Sequence, residues 1–329
     1  MKAMITGGAG FIGGHLAKRL AKAGYSVTLV DNFSRGVDDR FLHQLTQEYK
    51  VSLITADLME NDSLDLLGRD YDYIFHLAAI IGVQNVVSRA YDVLHMNAEL
   101  LFHVLNFAKK QTNLKRFVFA STSEVYAGTL QFFGMRIPTP EDTPLTITPL
   151  EQPRTSYMLS KIYGECLLHH CGLPYTIIRP HNFYGPRMGM SHVIPELLKK
   201  AYFTESGGKL PVFSADHKRS FCFISDAVEI ILRLAEHADT IGNAYNIGNE
   251  QPEVTMYEVA ERILQITGKS LEIEALPATE GSPKRRCPNM EKTFACTGYR
   301  CKVSLEEGIQ KTFEWYRENV FNGSEVSAR

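Results

Sequence analysis

The fold of this chain is decided by the stretch Thr6-Gly7-Gly8-Ala9-Gly10-Phe11-Ile12-Gly13-Gly14. An apolar segment from Lys2 to Thr6 precedes it and predicts a β-strand, and the amphipathic segment after it predicts a helix to about Ala23. Glycines at positions 7, 10 and 13 permit a tight turn and a close approach of the backbone, while the helix N-terminus offers amide donors to a pyrophosphate. Between a strand and a helix, this glycine pattern predicts a dinucleotide-binding unit.

Asp31 closes the second apolar segment, which runs from Ser26 to Val30. A carboxylate at this place can accept hydrogen bonds from both hydroxyls of an adenosine ribose and would repel a 2′-phosphate. The sequence therefore favours NAD over NADP as the cofactor. Arg35 lies close by and leaves NADP open as the alternative.

Strand-like apolar segments alternate with helical segments as far as about residue 180. Such alternation predicts an α/β fold with a doubly wound parallel sheet, the Rossmann arrangement. Asp57 follows one strand and is expected to bond the adenine amino group. Ala78 and Ala79 follow the next, and their small side chains let the backbone lie along the dinucleotide. The later strands are expected at Val51 to Thr55, Tyr73 to Leu77, Arg116 to Ala120 and Tyr175 to Arg179.

The chain of 329 residues is longer than the roughly 250 to 300 at which a single hydrophobic core stops growing. We therefore expect two closely joined domains. Residues 1–180 with about 221–245 are predicted to form an NAD-binding domain. Residues 181–220 with about 246–329, where irregular turns replace the alternation, are predicted to form a smaller C-terminal substrate-binding domain.

The composition argues against several classes of protein. A net charge of −2 gives no reason to expect a nucleic-acid partner. No stretch approaches about 20 uninterrupted apolar residues and the N-terminus leads directly into a strand, so we expect no membrane segment, no signal peptide and a cytoplasmic location. The six cysteines contain no CxxC pair, so we expect reduced thiols and no metal site.

Tyr157 and Lys161 lie four residues apart in a segment that predicts a helix. Positions i and i+4 share a helix face, so the phenol and the ammonium can point into one site. A cation there favours the phenolate and is expected to lower the phenol pKa from about 10 toward the working pH. Such a tyrosine can take the proton of an alcohol while a hydride leaves the same carbon. Many surface helices have this spacing by chance, and the upstream glycine stretch is what favours the catalytic interpretation.

The polar stretch from Ser121 to Tyr126 follows a predicted strand. Ligands of open α/β sheets bind beyond the carboxyl ends of the strands, which places this stretch at the working end of the cofactor. Thr122 is expected to hydrogen-bond the substrate oxygen that Tyr157 deprotonates. Capping of the next helix by Ser121, Ser123 and Glu124 is the alternative use of its neighbours.

Two basic loops occur in the second half of this slightly acidic chain, from Lys218 to Phe221 and from Ser282 to Arg286. Arginine presents a planar fork of donors that matches a phosphate bidentately. Arg219 and Arg285 are therefore candidates for a clamp on a diphosphate. Solvated surface charge is the alternative interpretation of both loops.

The motifs in this order resemble those of the extended short-chain dehydrogenase/reductase family that modifies nucleotide sugars, over nearly the whole chain. The motifs are TGGAGFIGG from Thr6, Asp31, Asp57, HLAA from His76, STSEVY from Ser121, YMLSK from Tyr157, RPHNFYGP from Arg179 and KRSF from Lys218. The resemblance implies NAD as the cofactor and a 4-keto sugar intermediate. It implies cofactor contacts from Gly7, Gly10, Phe11, Ile12, Gly13, Asp31, Asn32, Asp57, Leu58, Leu77, Ala78, Ala79, Asn97, Tyr157 and Lys161.

The same resemblance implies a nucleotide-sugar substrate, with a UDP-sugar favoured, and a homodimer formed through the helices Tyr91 to Lys110 and Arg154 to Cys171. The implied catalytic residues are Thr122, Glu124, Tyr157, Lys161 and Arg286. The implied substrate contacts are Ser123, Arg154, Asn182 and Arg219, and we add Arg285 from the second basic loop.

The branch of the family is less sharply indicated. Ser123-Glu124 replaces the Asp-Glu pair of 4,6-dehydratases, so dehydration is disfavoured. Thr-Ser-Glu, Pro153-Arg154 and Arg286-Cys287-Pro288 resemble UDP-glucuronate decarboxylases, the favoured interpretation. In it, Arg154 contacts the acidic sugar, Glu124 drives the carboxylate toward loss and Arg286 assists protonation of the enolate carbon. Ile80 to Gln84 resembles epimerases instead, and Ala127 stands where glycine is expected, so a UDP-sugar 4-epimerase is the alternative. A non-catalytic NAD-binding sensor is a third.

Overall fold

A seven-stranded parallel sheet forms the centre of the molecule. The computed structural model describes residues 1–60, 63–65, 67–278 and 282–323. The strands are β1 (Lys2–Thr6), β2 (Ser26–Asp31), β3 (Ser52–Thr55), β4 (Tyr73–His76), β5 (Arg116–Ala120), β6 (Tyr175–Pro180), β7 (Phe183–Tyr184), β8 (Lys209–Phe213), β9 (Lys218–Ser220), β10 (Cys222–Phe223), β11 (Asn243–Ile247), β12 (Glu253–Thr255), β13 (Glu272–Leu276) and β14 (Arg285–Arg286).

Helices cover both faces of this sheet, which confirms the predicted doubly wound α/β fold. They are α1 (Phe11–Lys22), α2 (Arg40–Gln47), α3 (Val83–Ser88), α4 (Ala90–Lys109), α5 (Ala127–Phe133), α6 (Pro153–His170), α7 (Val193–Phe203), α8 (Ile224–Glu236), α9 (Met256–Thr267), α10 (Glu291–Thr297) and α11 (Leu305–Tyr316). None of the helices in the described part of the chain has the length and apolar character that a membrane crossing requires.

The central strands are buried on both sides, and their side chains alternate between two cores. Ile5 of β1 packs with α1 and α8 on one face, and its neighbour Met4 packs with α4 on the other. The seven strands lie in the order β11-β6-β5-β4-β1-β2-β3, and this order reverses between β1 and β4. At such a switch point the loops diverge beyond the carboxyl ends of the strands and leave a crevice for a ligand. The glycine stretch and the segment after β4 both open onto this crevice.

Three smaller sheets lie in the second half of the chain, in the orders β12-β9-β14, β13-β8 and β10-β7. β9 and β14 run parallel, with Arg219 opposite Arg286. The two basic loops are thus neighbouring strands of one sheet. The division into residues 1–180 with 221–245 and 181–220 with 246–329 stays a prediction.

The segment between α5 and α6 packs against the C-terminal half of the chain. Thr139 forms a β-bridge with Pro288, and its amide donates to the Cys287 carbonyl at 2.9 Å. The carboxylate of Glu141 accepts a hydrogen bond from the amide of Asn246 at 2.8 Å. This segment therefore helps to hold the Arg286-Cys287-Pro288 motif near the carboxyl ends of the sheet.

Candidate active site

The glycine turn is closed so tightly that side chains would not fit. Gly7 has φ +68°, and a Cβ on it would lie 2.9 Å from the backbone nitrogen of Ala78. A Cβ on Gly13 would collide with the carbonyl oxygen of Gly7. Gly10 forms the N-cap of α1 without a capping side chain, so Phe11 and Ile12 open the helix with their amide groups available. The turn therefore fits a pyrophosphate as the sequence indicates.

Asp31 is buried at the end of β2, and both of its carboxylate oxygens are fixed by backbone donors. It accepts hydrogen bonds from Ala9 at 3.0 Å and from Phe33 at 2.8 Å. Burial raises the pKa of this carboxyl, while the two amide donors oppose that shift. An acceptor held in this way at the second strand suits the ribose of NAD. The guanidinium of Arg35 donates instead to the carbonyl of Ile81 at 2.9 Å.

Asp57 follows β3 at the same edge of the sheet. Its Oδ2 accepts from the amide of Asn32 at 3.1 Å and its Oδ1 accepts from the backbone of Met59 at 2.9 Å. Leu58 beside it is buried, and its carbonyl bonds the Nδ1 of His103 at 2.7 Å. These contacts place Asn32, Asp57 and Leu58 together, beyond the strand that carries Asp31.

The segment after β4 is held by side chains from behind. The amide of Ala78 donates to the hydroxyl of Thr6 at 3.3 Å, which fixes the Leu77-Ala78-Ala79 backbone beside the glycine turn. The side-chain amide of Asn97 on α4 makes two hydrogen bonds to the backbone of Ile80, which follows Ala79. It accepts from the Ile80 amide at 2.7 Å and donates to the Ile80 carbonyl at 3.1 Å. Both polar atoms of the Asn97 amide are thus engaged with this backbone.

Tyr157 and Lys161 share one face of α6, as their spacing predicts. The Nζ of Lys161 lies 5.8 Å from the centre of the Tyr157 ring and donates to the carbonyl of Ala120 at 2.8 Å. Lys161 is only 4% exposed, and burial lowers its pKa to about 8. The ammonium is therefore held beneath the phenol at the end of β5.

The prediction that Lys161 lowers the pKa of the Tyr157 phenol is wrong for the protein without cofactor. Burial and the nearby charge of Glu124 raise the pKa of the phenol above its ordinary value, and a hydrogen bond with Thr122 opposes this shift. The cost of desolvating a phenolate outweighs what the protein's own groups return. Deprotonation therefore needs further positive charge at the site.

Thr122 caps a short 3-10 helix, Ser123–Tyr126, by accepting from the amide of Glu124 at 3.2 Å. Capping thus falls to Thr122 and not to the neighbours considered for it. Ser121 donates instead to the buried carboxylate of Glu165 at 2.5 Å. Ser123 is buried in the same turn. The turn leaves the carboxylate of Glu124 free to face other segments.

Glu124 lies in a cluster of three arginines. Its Oε1 accepts from Nη2 of Arg286 at 2.7 Å, and its Oε2 lies 3.9 Å from Nη2 of Arg154. Arg286 foremost, with Arg154, lowers the pKa of the Glu124 carboxyl. Burial and the charge of Arg286 lower the pKa of Arg219 to about 10, which places this third arginine in the same field.

The neighbouring Arg285 belongs to a different environment. Successive residues of a strand point to opposite faces, so Arg285 turns away from its neighbour Arg286. Its guanidinium makes two hydrogen bonds to Glu253, at 2.6 and 2.7 Å, on an exposed face. A diphosphate clamp from Arg219 and Arg285 is therefore not formed. Arg219 and Arg286, which lie opposite each other on β9 and β14, share the inward face.

A cavity of about 280 Å³ opens beside Arg219. Asn182, with φ +43°, lies at its wall and donates to the carbonyl of Ser220 at 2.9 Å. Phe221 of the KRSF motif also lines it, together with residues that the sequence did not single out, namely Met188, His192, Phe213 and His217. They come from separate loops and share no motif, so the sequence carries no local signal for them. Aromatic side chains beside an arginine suit the base and phosphates of a nucleotide.

The family model of the NAD dependent epimerase/dehydratase family matches residues 3–248. The chain belongs to this family. A UDP-N-acetyl-α-D-glucosaminuronate decarboxylase of Bacillus cytotoxicus is 35% identical, covering 96% of this chain and 98% of that protein. UDP-glucuronic acid decarboxylase 1 of Xenopus tropicalis is 30% identical over 96% of this chain and 72% of its own.

The structure of this chain is similar to that of a UDP-glucuronic acid 4-epimerase from Bacillus cereus, solved in complex with UDP-glucuronic acid and NAD. Its TM-score is 0.81 at 26% identity, with 97% of this chain and 99% of that chain covered. The expected family is therefore confirmed, and with it an NAD-dependent enzyme acting on a nucleotide sugar.

Proposed function

We propose that this enzyme oxidises a UDP-linked uronic acid at C4 and releases its carboxylate as carbon dioxide. The Glu124–Arg286 pair carries the proposal, because it places a paired carboxylate and guanidinium in the site, with the charge of Glu124 close enough to raise the pKa of the Tyr157 phenol. A 4-epimerase has no evident use for that pair. The names of the decarboxylases that are 35% and 30% identical support the same reaction class and the uridine base.

The oxidation falls to the residues around Tyr157. When bound, NAD would accept the hydride from C4, would return it to the 4-ketone after carbon dioxide has left, and would add a positive charge that favours the phenolate. Tyr157 takes the proton of the 4-hydroxyl, and Thr122 beside it hydrogen-bonds the same substrate oxygen. Lys161 supports the phenol from below. The glycine turn, Asp31 and the segment after β4 hold the two nucleotide halves of the cofactor.

The decarboxylation step is assigned to Glu124 and the arginines around it. A ketone at C4 lies β to the carboxylate, so the C5–C6 bond can break with its electron pair delocalised as an enolate. Glu124 stays ionised because Arg286 lowers its pKa, and its charge favours loss of the neighbouring carboxylate as neutral carbon dioxide. Arg286 stabilises the enolate and assists the return of a proton to C5. Arg154, Arg219, Ser123 and Asn182 are assigned to the sugar acid and the diphosphate.

A UDP-glucuronate 4-epimerase is the second candidate. The segment from Ile80 to Gln84 favours it, because this segment resembles epimerases, and the Bacillus cereus structure belongs to that class by its name. The reaction would then stop at the ketone and return the hydride to its other face.

Incubation with UDP-glucuronate and with UDP-N-acetylglucosaminuronate separates the two candidates. We expect carbon dioxide and a UDP-pentose or UDP-acetamidopentose, measured by isotope release and mass spectrometry. A Tyr157→Phe variant is the control for chemistry by a contaminant. Recovery of a galacturonate-type product alone, without carbon dioxide, would eliminate decarboxylation.

We also propose a homodimer and a cytoplasmic location. Tyr91, Leu94 and Phe102 form an exposed apolar stripe on α4, and Tyr163 lies exposed on α6, which packs against it. Pairing of these two helices with a second copy would cover the stripe. The free cysteines support a reducing compartment. Phe102→Glu should convert the dimer to a monomer in analytical ultracentrifugation, and an unchanged mass would refute this interface.

A further inference from the structure

Arg187 lies in the segment after β7 and extends from there to the glycine turn. It follows the RPHNFYGP motif, and its guanidinium donates to the carbonyl of Gly10 at 3.0 Å and to the carbonyl of Val37 at 2.7 Å. Its Nε donates to Asp39 at 2.6 Å, where the two side chains are only 4% and 5% exposed. One buried side chain thus bonds both the glycine turn and the segment leading to α2.

Gly14, which directly follows the glycine turn, leaves room for the guanidinium of Arg187. A Cβ on Gly14 would lie 3.0 Å from Nη1 of Arg187. Beside it, Nε2 of His15 donates to the carbonyl of Pro186 at 3.0 Å. The start of α1 is therefore joined to the segment Pro186-Arg187 by two hydrogen bonds. This gives a role to Gly14, which the pyrophosphate turn itself does not need.

The next residue along the chain faces the other site. Met188 lines the 280 Å³ cavity, and its carbonyl accepts a hydrogen bond from the hydroxyl of Tyr316. Arg187 itself has φ +71°, a left-handed conformation that a non-glycine residue keeps only when its surroundings hold it there. Two adjacent residues in a constrained segment thus touch the two sites.

We propose that Arg187 is a positioning residue that couples nucleotide binding in the cavity to cofactor binding at the glycine turn. The inference rests on the proposed function for the cavity and goes beyond it. A nucleotide diphosphate in the cavity fixes Met188, and with it Arg187. The same placement of Arg187 orders the carbonyl of Gly10 and the turn that receives the pyrophosphate. By linkage, each ligand then strengthens the binding of the other.

The experiment measures how fast the holoenzyme releases NADH when it is displaced by excess NAD, with and without saturating UDP. Loss of NADH fluorescence reports the rate, and tritiated UDP reports occupancy of the cavity. In the wild type, we expect UDP to slow NADH release about fivefold or more, the lower end of common coupling strengths. In Arg187→Met the effect of UDP should fall below about twofold, although both ligands still bind.

Two further variants and one matched control keep the test sharp. Arg187→Lys keeps the charge but cannot bond both carbonyls, and Asp39→Asn keeps a capping side chain for α2 while removing the ion pair; both should lose most of the coupling. Arg19→Met removes another ion pair of α1, to Glu229 at 2.6 Å, which touches neither site. It should leave the coupling intact.

The outcomes separate the two proposals. If UDP does not bind the wild type, the nucleotide cavity of the proposed function is refuted and the coupling falls with it. If UDP and NADH both bind but UDP leaves NADH release unchanged, the coupling alone is refuted. Coupling that survives in Arg187→Met and Arg187→Lys, or that disappears equally in Arg19→Met, also overturns the role of Arg187.

Discussion

The Tyr157–Lys161 pair and the Glu124–Arg286 pair lie within electrostatic range in one site, yet the chain assembles them differently. The first pair is four residues apart on a single helix, above the end of β5. The second joins residues from a turn after β5 and from the short strand β14, and depends on the pairing of β14 with β9. In the proposed reaction, oxidation at C4 is therefore anchored in the central sheet, whereas the fate of the ketone depends on the pairing of short strands in the second half of the chain.

The largest effect should come from removing the phenol oxygen. Tyr157→Phe deprives the site of its proton acceptor, and we expect the turnover number to fall about a thousandfold, within the usual range for such a group. Single-turnover formation of NADH with UDP-glucuronate measures it. Retained binding of NAD is the control for folding. A variant within tenfold of the wild type would show that another group takes the proton.

The next largest effect should come from Arg286, and it should be confined to decarboxylation. Arg286→Gln should lower carbon dioxide release about a hundredfold, as is usual when one donor to a developing oxyanion is lost. NADH formation should persist, because the pair on α6 is untouched. The adjacent Arg285→Gln is the matched control and should stay within about twofold, since Arg285 pairs with Glu253 on the opposite face of β14 from Arg286.

If Arg286→Gln abolished NADH formation as well, the separation of the two pairs would be refuted. Equal losses in Arg285→Gln and Arg286→Gln would refute the assignment of opposite faces on β14. The thermal unfolding midpoint of both variants shows whether any loss comes from folding instead.

A third prediction concerns the stability cost of the ammonium. Burial lowers the pKa of Lys161 from its ordinary 10.5 to about 8. At about 1.36 kcal/mol per pH unit this shift costs about 3 kcal/mol at pH 7, and loss of the hydrogen bond to Ala120 in the variant would offset about 1 of it. Without cofactor, Lys161→Met should therefore be about 2 kcal/mol more stable than the wild type at pH 7, although inactive.

The sign of its pH dependence follows from proton binding. Between pH 8 and 10.5 the unfolded chain binds more protons at Lys161 than the folded one, so the wild type gains stability from this group as pH rises. The advantage of Lys161→Met should therefore shrink from pH 7 to pH 10. Urea unfolding at both pH values measures the difference, and an advantage that grows with pH would contradict the buried ammonium.

The smallest effect is expected for Asp31, at the adenosine end of the cofactor. Asp31→Asn keeps one acceptor for the ribose but loses the negative charge, and we expect about tenfold weaker binding of NAD, equivalent to about 1.4 kcal/mol. Rejection of NADP should weaken at the same time. Fluorescence titration of both reduced cofactors measures these affinities. Unchanged affinity for NADH would remove Asp31 from the ribose site.

Sequence reasoning succeeded wherever the chemistry is local. The glycine turn, the end of β2 at Asp31 and the face shared by Tyr157 and Lys161 follow from patterns within a few residues. The predicted lowering of the Tyr157 pKa was wrong, because the burial of the phenol depends on everything packed around the ring. Sequence reasoning also failed for Arg285, because the face of a two-residue strand cannot be read from its letters.

The amino-acid sequence by itself determined the doubly wound sheet, the dinucleotide turn and the tyrosine–lysine pair, because helix and strand periodicity is fixed by backbone geometry at short range. The pairing of Glu124 with Arg286, with Arg154 and Arg219 nearby, depends on the tertiary structure, and so does the hydrogen bond from Arg187 to the carbonyl of Gly10. Those contacts join residues from distant segments. They depend on strand pairing, packing and the absence of a side chain at Gly14, which no local pattern encodes.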